Sequence, residues 1–351
     1  MAILAVAAIL LASSGCSQNA APGGNSGAGA PGGKIGSPDR ANQQYYWISQ
    51  ASNLPLFVER VYPALKAFER DYGVKVTIAG PTTVDLQSYV ATVEQITATN
   101  PAGMIVVGGW DPALTEPVNK AIAAHVPVVV TDGDLFDSNR LAYVGTDWYN
   151  VGVKMAQVQI AEHKARGLTS GKIAVIAPVQ NENMQHTRQA IKDTLQGTGI
   201  EVVAEEDNES QADIAAQKTS ALLNSYQDLT GIAGLDSEAG PGIVAALKES
   251  QMAGKIIVTC NENGREFLQN LKDGTISMIT MERYDVMDYL ALQLLYDWHN
   301  DSLGVTGLDI WANNWMPHTI DSGLLLVTKD NVDEINTWLT NLEASSGASG
   351  K

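Results

Sequence analysis

The stretch MIVVGGWDPALTEPVNKAIAAHVPVVVTDGD, residues 104–134, places a helical segment between two short apolar runs. MIVVG and VPVVVT are continuous apolar runs of strand length, and residues 113–124 form the intervening helix. Strands without polar alternation, separated by helices, are typical of parallel sheets that helices cover on both faces. The stretch therefore predicts an α/β fold.

The same alternation covers most of the chain and restarts once. VKVTIA at 74–79 precedes the stretch as a strand, and a long helix follows it over about 148–166. A second series begins at KIAVIA, residues 172–177, and ends at LLLVT, residues 324–328. Two such series predict two doubly wound, Rossmann-like parallel-sheet lobes.

The composition excludes several classes of binding partner and of metal or disulfide site. The 351 residues carry a formal net charge of −17, which repels phosphate backbones and excludes nucleic acid as an expected partner. Two cysteines are too few for a disulfide framework or a thiolate zinc site, and the five histidines show no ligand spacing. We therefore expect no metal and no cofactor, and a buried thiol at Cys260 in the apolar run KIIVTC.

The first residues differ from the rest of the chain. MAILAVAAILLASSGC, residues 1–16, is an apolar run too short to span a bilayer, and it ends in small residues before Cys16. It resembles a bacterial lipoprotein signal, which implies that Cys16 is lipidated; a secretion signal without a lipid is the alternative. Residues 17–41 are rich in Gly, Ala, Ser and Asn and predict a disordered tether. We expect contact with a membrane only through this lipid anchor.

Polar and aromatic residues stand where the predicted strands end. Ligands of open parallel sheets bind outside the carboxyl ends of the strands. The residues in such positions are Asn53, Trp110, Asp111, Asp132, Asp236, Asn261, Glu262 and Glu282. Asp111, followed by Pro112, suits a helix N-cap, so we assign it to capping. Trp110 follows two glycines and is the candidate platform for an apolar ligand face.

An ordered series of motifs resembles one known family. SNLPLF at 52–57, VPVVVTDGD at 126–134 and YVGTDWYNVG at 143–152 are similar to its first-loop, fourth-strand and turn motifs. GPGIVAALKES, LKDGTI, MERYDVMDYLA and SGLLLVTKDNVDE follow in matching order. Over about residues 45–335, the chain resembles the type I periplasmic solute-binding proteins of the ribose/galactose kind, which serve sugar ABC transporters.

The resemblance implies two lobes joined by a hinge that the chain crosses three times. The crossings are expected near 145–147, 282–285 and 312–317. The expected divisions are an N-terminal lobe at 42–146 plus 284–314, a C-terminal lobe at 147–283 plus 315–335, and a flexible tail at 336–351. Lobes of this kind close on a ligand by hinge motion.

The resemblance also implies the ligand residues. Asp132 stands at the family's ligand aspartate, Asn53 at its first-loop asparagine, and Arg188 at the arginine on the first helix of the second lobe. The other candidates are Phe57 and Trp110 as aromatic platforms, Asp236, either Asn261 or Glu262, and Glu282. Carboxylates and an arginine fork bind paired hydroxyl groups strongly. Four strand-end carboxylates favour a hydroxyl-rich neutral ligand, or one with an amine, over an anion.

We therefore predict an extracytoplasmic receptor, not an enzyme, that binds a neutral monosaccharide such as a pentose or hexose, or a polyol. It would close on the ligand and deliver it, as a monomer, to an ABC transporter permease. A receptor that reports a sugar or an autoinducer to a signalling partner is the alternative. A distant alternative hypothesis, an NAD-dependent enzyme, rests on the motif GPGIVA at 240–245. Four residues, 236–239, separate this motif from the preceding strand, where the dinucleotide fingerprint allows none.

Overall fold

The computed structural model describes residues 39–54, 56–108, 112–261, 264–302, 311 and 314–345. Outside these ranges lie the predicted signal with Cys16, the tether up to residue 38, the candidates Trp110 and Glu262, the predicted N-cap Asp111, and residues 346–351. Within the described ranges, no helix has the length and apolar character needed to cross a membrane.

The chain alternates strands and helices, as the apolar runs predict. The first elements are β1 (Gln44–Ile48), α1 (Tyr62–Tyr72), β2 (Lys75–Ala79), α2 (Leu86–Thr97), β3 (Gly103–Val107), α3 (Thr115–Ala123), β4 (Val128–Asp132) and β5 (Ala142–Gly145). Short helical turns at Arg40–Asn42, Phe57–Val61 and Pro112–Leu114 precede β1, α1 and α3.

A second alternation follows. Its elements are α4 (Trp148–Ala165), β6 (Gly171–Ile176), α5 (Glu182–Leu195), β7 (Ile200–Glu206), α6 (Ala212–Ser225), β8 (Leu229–Gly234), α7 (Ala239–Glu249), β9 (Ile257–Asn261), α8 (Leu268–Lys272) and β10 (Met278–Glu282). The last elements are α9 (Tyr284–Asn300), β11 (Thr319–Asp321), β12 (Leu324–Val327) and α10 (Val332–Ser345).

The strands form two six-stranded sheets, one per lobe. The first has the order β11-β5-β4-β3-β1-β2 and the second β12-β10-β9-β8-β6-β7. Every pairing is parallel except that of β12 with β10, which is antiparallel. The strand order reverses direction at β1 and at β6, as in doubly wound sheets. The predicted fold class is confirmed.

Each sheet separates two apolar layers. In β6, Ala174 and Ile176 face one cluster of buried residues, whereas Ile173 and Val175 face another. In β4, Val129 faces the layer that contains α9, and Val130 faces the layer that contains α3. Successive strand residues point to opposite faces, so a strand covered on both sides needs apolar residues at every position. This burial explains the continuous apolar runs.

The chain passes between the lobes at three places: from β5 to α4, from β10 to α9, and from β11 to β12. The first two passages lie within or beside the expected crossings. The third falls after Asp321, later than the expected crossing at 312–317. Residues 319–321 pair with β5 in the first sheet, and Ile320 packs against the first core, so the assignment of all of 315–335 to the second lobe was wrong.

The chain after residue 335 is helical and packed, which corrects the expected tail at 336–351 for its described part. Helix α10 continues to Ser345, and the side chains of Ile335 and Leu339 are buried against the core of the second lobe. On the same helix, Trp338 lies under the guanidinium groups of Arg60 and Arg283, at 4.9 and 5.5 Å from its ring centre. Helix α10 therefore contacts both lobes.

Candidate functional site

Asp132 ends β4 in an unusual backbone conformation. Its φ is 69°, in the left-handed region that residues other than glycine rarely adopt. Tyr284 Oη donates to its carboxyl Oδ1 (3.1 Å), Tyr143 Oη donates to its carbonyl oxygen (2.7 Å), and its amide donates to the Met287 sulfur (3.2 Å). Such residues cost about 1–3 kcal/mol and concentrate at ligand clamps and active sites. Asp132 is therefore the strongest candidate among the strand ends.

The surroundings of the Asp132 carboxyl disfavour its charge. Burial, and after it the nearby Glu282 carboxylate, raise the pKa of Asp132 to about 7, whereas the hydrogen bond from Tyr284 lowers this pKa. Loss of water and a like charge both penalise the ionised form, and a donated hydrogen bond favours it. The carboxyl is thus poised to change protonation near neutral pH.

A second buried carboxyl lies one helical turn beyond Tyr284. Asp288 Oδ1 accepts hydrogen bonds from Trp47 Nε1 (3.0 Å) and Thr131 Oγ1 (3.2 Å), and burial raises the pKa of Asp288 to about 7. These bonds fasten α9 to β1 and β4. Asp288 was not among the predicted candidates, because those stand at strand ends, whereas this residue lies inside a helix, in the motif MERYDVMDYLA.

Glu282 is fully buried at the second crossing. Its carbonyl oxygen accepts a hydrogen bond from Arg60 (2.9 Å), which belongs to the helical turn before α1. Burial lowers the pKa of the Arg60 guanidinium, and the carboxylates of Asp285 and Glu282 partly offset this. The crossing is therefore attached to the first lobe by a buried cation.

Three candidate residues follow neighbouring strands of the second lobe: Asp236 after β8, Asn261 at the end of β9 and Glu282 at the end of β10. Asp236 Oδ1 accepts from Asn208 Nδ2 (2.9 Å) and from the Ala239 amide (3.1 Å), so it caps the start of α7. Burial raises the pKa of Asp236 to about 6. Asn261 Oδ1 accepts from Thr280 Oγ1 (3.1 Å) on β10.

Arg188 lies on α5 and is largely buried, with 7% of its surface exposed. Its guanidinium donates to the Ala177 carbonyl (2.7 Å) and lies 3.8 Å from the Glu205 carboxylate. Burial lowers the pKa of Arg188, while Glu205, Asp207 and Asp236 raise this pKa. The arginine is thus close to Asp236 and is bonded within its own lobe through one guanidinium nitrogen, while its buried Nε has no hydrogen-bond partner among the described residues.

The two candidates of the first loop, Asn53 and Phe57, differ in their exposure. Asn53 is exposed and lies in a turn. Phe57 is only 2% exposed, and its ring meets the rings of Trp47 and Tyr284 edge-on, with centres 5.1 and 6.3 Å away. The expected role of Phe57 as an open platform for a sugar face does not fit this burial, because its neighbours already cover the ring.

The structure therefore divides the described candidates into two groups. Asp132, at the end of β4, lies near Glu282 and accepts a hydrogen bond from Tyr284, while Arg188 and Asp236 lie near each other in the second lobe. Asn261 stands on the strand between Asp236 and Glu282. The positions predicted at Trp110 and Glu262 lie outside the described residues.

A cavity of about 340 Å³ opens between the lobes beside the first crossing. Volumes of about 300–1,000 Å³ are typical of small-molecule sites. Residues of both lobes line this cavity, among them Phe136, Tyr143, Trp148, Tyr149, Asn183 and His186. Phe136 from the first lobe and Tyr149 from the second are 59% and 42% exposed. These two aromatic residues were missed, because one lies in a loop and the other inside a helix.

The cavity also adjoins a buried hydroxyl group. Thr146 is 4% exposed, and its Oγ1 has no hydrogen-bond partner in the described part of the chain. Tyr143 links the cavity to Asp132, since it lines the cavity and donates to the Asp132 carbonyl. The arrangement suits a small polar ligand with one apolar face: carboxyl and hydroxyl groups bind its polar atoms, and aromatic rings cover its C–H groups.

Comparison with known proteins gives a consistent assignment. Residues 45–300 match the model of the periplasmic binding protein domain. No curated protein matches the sequence.

Among solved structures, a sugar ABC transporter sugar-binding protein from Bacillus halodurans has 28% identity and a TM-score of 0.76, over 84% of this chain and 99% of that one. AraP, an arabinose binding protein from Geobacillus stearothermophilus, has 26% identity and a TM-score of 0.74, over 83% and 98%. The resemblance predicted from the motifs is confirmed, and the chain belongs to the periplasmic binding protein family.

Proposed function

We propose that this protein is an extracytoplasmic receptor, without catalytic activity, that binds a neutral monosaccharide between its lobes and delivers it to an ABC transporter permease. The single observation that carries this proposal is Asp132, which is held at a strand end by three contacts, one of them from Tyr143 in the wall of the aromatic-lined cavity between the lobes. Closure of the lobes would surround the ligand and remove it from water.

The chemistry of the site supports a neutral ligand. The three described strand-end carboxyls at Asp132, Asp236 and Glu282 repel an anion when they are ionised. Arg188 is bonded to Ala177 through one nitrogen, and its Nε, which has no hydrogen-bond partner among the described residues, is available to a ligand hydroxyl. Carboxylates accept hydrogen bonds from sugar hydroxyl groups, and these charge-assisted bonds are shorter and stronger than neutral ones. Pentoses are the first choice for testing, because AraP is an arabinose binding protein.

Calorimetric titration of the purified protein with arabinose, ribose, xylose, galactose, glucose and tagatose tests the proposal. We expect one stereochemical set to bind, and Asp132→Asn to weaken that binding roughly tenfold to hundredfold, as expected for a lost hydrogen bond to a charged group. Asp71→Asn is the control, because it makes the same side-chain change at an exposed position at the end of α1. Unchanged binding in Asp132→Asn would place the ligand elsewhere.

We further propose that a lipid on Cys16 anchors the mature protein at the outer face of the cell membrane and that the receptor acts as a monomer. The support for the anchor is the apolar run that ends at Cys16. In cells, Cys16→Ser should move the protein from the membrane fraction to the soluble fraction. Equal membrane association of the variant and the native chain would contradict the anchor.

A further inference from the structure

The backbone of Asp132 requires support from its neighbours. A non-glycine residue at a φ of 69° is strained and persists only where the surroundings determine its conformation. Its amide donates to Met287, its carbonyl oxygen accepts from Tyr143, and its carboxyl accepts from Tyr284. The hydroxyl groups of Tyr143 and Tyr284 therefore hold Asp132 in the conformation that sets the direction of its carboxyl.

The two tyrosines act on different atoms of Asp132. Tyr143 holds the backbone carbonyl oxygen, whereas Tyr284 holds carboxyl Oδ1. Both side chains are 6% exposed, so neither hydroxyl readily exchanges its partner for water. Gly145 leaves the space that Tyr143 needs, since a Cβ atom at Gly145 would lie 1.9 Å from the Tyr143 hydroxyl oxygen.

Both tyrosines also stand at passages between the lobes. Tyr143 lies on β5, two residues before the strand ends at Gly145 and the chain enters the first crossing. Tyr284 begins α9, directly after the second crossing at Glu282 and Arg283. Both residues nevertheless belong with Asp132 to the first lobe, because β5 pairs with β4 and α9 packs on β4, so a hinge motion moves all three together.

We propose that Tyr143 and Tyr284 are positioning residues of the first lobe that hold Asp132 ready for the ligand. This inference rests on the proposed function, in which Asp132 binds the sugar. Tyr284 has the additional role of stabilising the ionised carboxyl, because its hydroxyl donates to that group.

The groups that face Asp132 come from four elements and are Glu282 on β10, Tyr284 and Asp288 on α9, Tyr143 on β5 and Tyr89 on α2. The carboxylates of Glu282 and Asp288 oppose ionisation of Asp132, while Tyr284 favours it. Removal of the Tyr284 hydroxyl should therefore raise the pKa of Asp132. Removal of the Tyr143 hydroxyl deletes no direct contact of the carboxyl, because Tyr143 bonds the backbone carbonyl oxygen.

The experiment compares Tyr284→Phe with Tyr143→Phe, each of which deletes one oxygen and retains the ring. The first readout needs no ligand: carboxyl ¹³C NMR of the labelled protein is recorded between pH 4 and 9, and Asp132→Asn identifies the Asp132 signal. We expect the titration midpoint of Asp132 to rise in Tyr284→Phe and to stay at the native value in Tyr143→Phe.

The second readout is calorimetric titration with arabinose over the same pH range. Loss of a bond to a charged group should weaken binding roughly tenfold or more in Tyr284→Phe near pH 7. Loss of a neutral bond should weaken it roughly threefold to tenfold in Tyr143→Phe at every pH. The pH of half-maximal binding should rise only in Tyr284→Phe.

The outcomes separate the inference from the proposed function. If Tyr284→Phe retains both the native midpoint and the native affinity, the positioning role is refuted. If the midpoint rises in Tyr284→Phe but Asp132→Asn binds arabinose as tightly as the native protein, the positioning contact exists and the proposed ligand site is wrong. A midpoint that rises equally in both variants would show a general disturbance of the first lobe and would also refute the inference.

Discussion

Substitution of Asp288 by Asn should reveal a buried carboxyl that weakens the folded protein as pH rises. Asp288 is 1% exposed, and both of its donors, Trp47 and Thr131, bond to the same oxygen, Oδ1. Burial raises the pKa of Asp288 from 3.8 to about 7. In the unfolded chain this carboxyl would titrate near its ordinary value.

The sign follows from proton binding. Between pH 4 and 7 the folded protein holds a proton on Asp288 that the unfolded chain has released, so stability falls as pH rises. The contribution is fully present below about pH 4 and lost as pH passes through about 7. A shift of about three pKa units at 1.36 kcal/mol per unit corresponds to about 4 kcal/mol.

Asparagine has nearly the shape of the protonated acid and does not titrate. The free energy of unfolding of Asp288→Asn, relative to the native protein, should therefore increase by about 4 kcal/mol from pH 4 to pH 8. Urea unfolding followed by tryptophan fluorescence, at four pH values, measures this difference. Subtraction of the native values removes the titration of the carboxyls that do not interact with Asp288; Asp132, which does interact with it, contributes to the difference.

Asp71→Asn provides the matched control. Hydrogen bonding to Arg70 lowers the pKa of the exposed Asp71 carboxyl, so its effect on stability runs in the opposite direction with pH. A difference between Asp288→Asn and the native protein that stays constant from pH 4 to 8 would refute the reasoning, because Asp288 would then titrate equally in the folded and unfolded states.

Two further predictions concern packing. Gly73→Ala should cost about 1–2 kcal/mol, because Gly73 has a positive φ. Gly80→Ala should destabilise the protein by more than this. Gly80 also has a positive φ, but only at Gly80 would a Cβ atom meet backbone, 2.0 Å from the Ser49 carbonyl oxygen. Equal melting temperatures of the two variants would contradict this. Trp338→Ala should cost on the order of 3 kcal/mol in urea unfolding, because it removes the ring beneath two guanidinium groups. Thr337→Ala, at an exposed neighbouring position, should cost little, and equal losses would contradict the packing of α10 on both lobes.

Much of the fold was predictable from local patterns. The strand expected at 104–108 is β3 (Gly103–Val107), the helix expected at 113–124 is α3 (Thr115–Ala123), and the strand expected at 126–131 is β4 (Val128–Asp132). These elements are buried on one or both faces, so their side chains must be apolar at regular intervals. The apolar residues therefore recur with the periods of strands and helices, and these elements can be predicted from the sequence.

Elements with few apolar residues were misplaced. β11 has three residues, of which only Ile320 contacts the core, and its position depends on backbone pairing with β5. No periodicity can reveal such a strand. Helix α10 was missed beyond residue 335, although Val332, Ile335 and Leu339 have helical spacing. In this case the signal existed, but the polar residues that follow suggested a tail.

The site was only partly predictable. The position of Asp132 at the end of a strand follows from the apolar run that precedes it, and this placed it at the ligand edge of the sheet. Its support by Tyr284, 152 residues away, arises only when α9 packs beneath β4. The same packing buries Phe57 and brings the Asp288 carboxyl within hydrogen-bond distance of side chains on β1 and β4.

The sequence by itself determined the α/β alternation, the two lobes and the edge at which polar residues gather. These features follow from periods of two and 3.6 residues and from the rule that parallel strands end at the same edge. Only the tertiary structure decided which polar groups meet, which way the Asp132 carboxyl points and how far burial moves its pKa. Those properties depend on contacts between residues far apart in the chain, and hydrogen bonds and desolvation act only over a few ångströms.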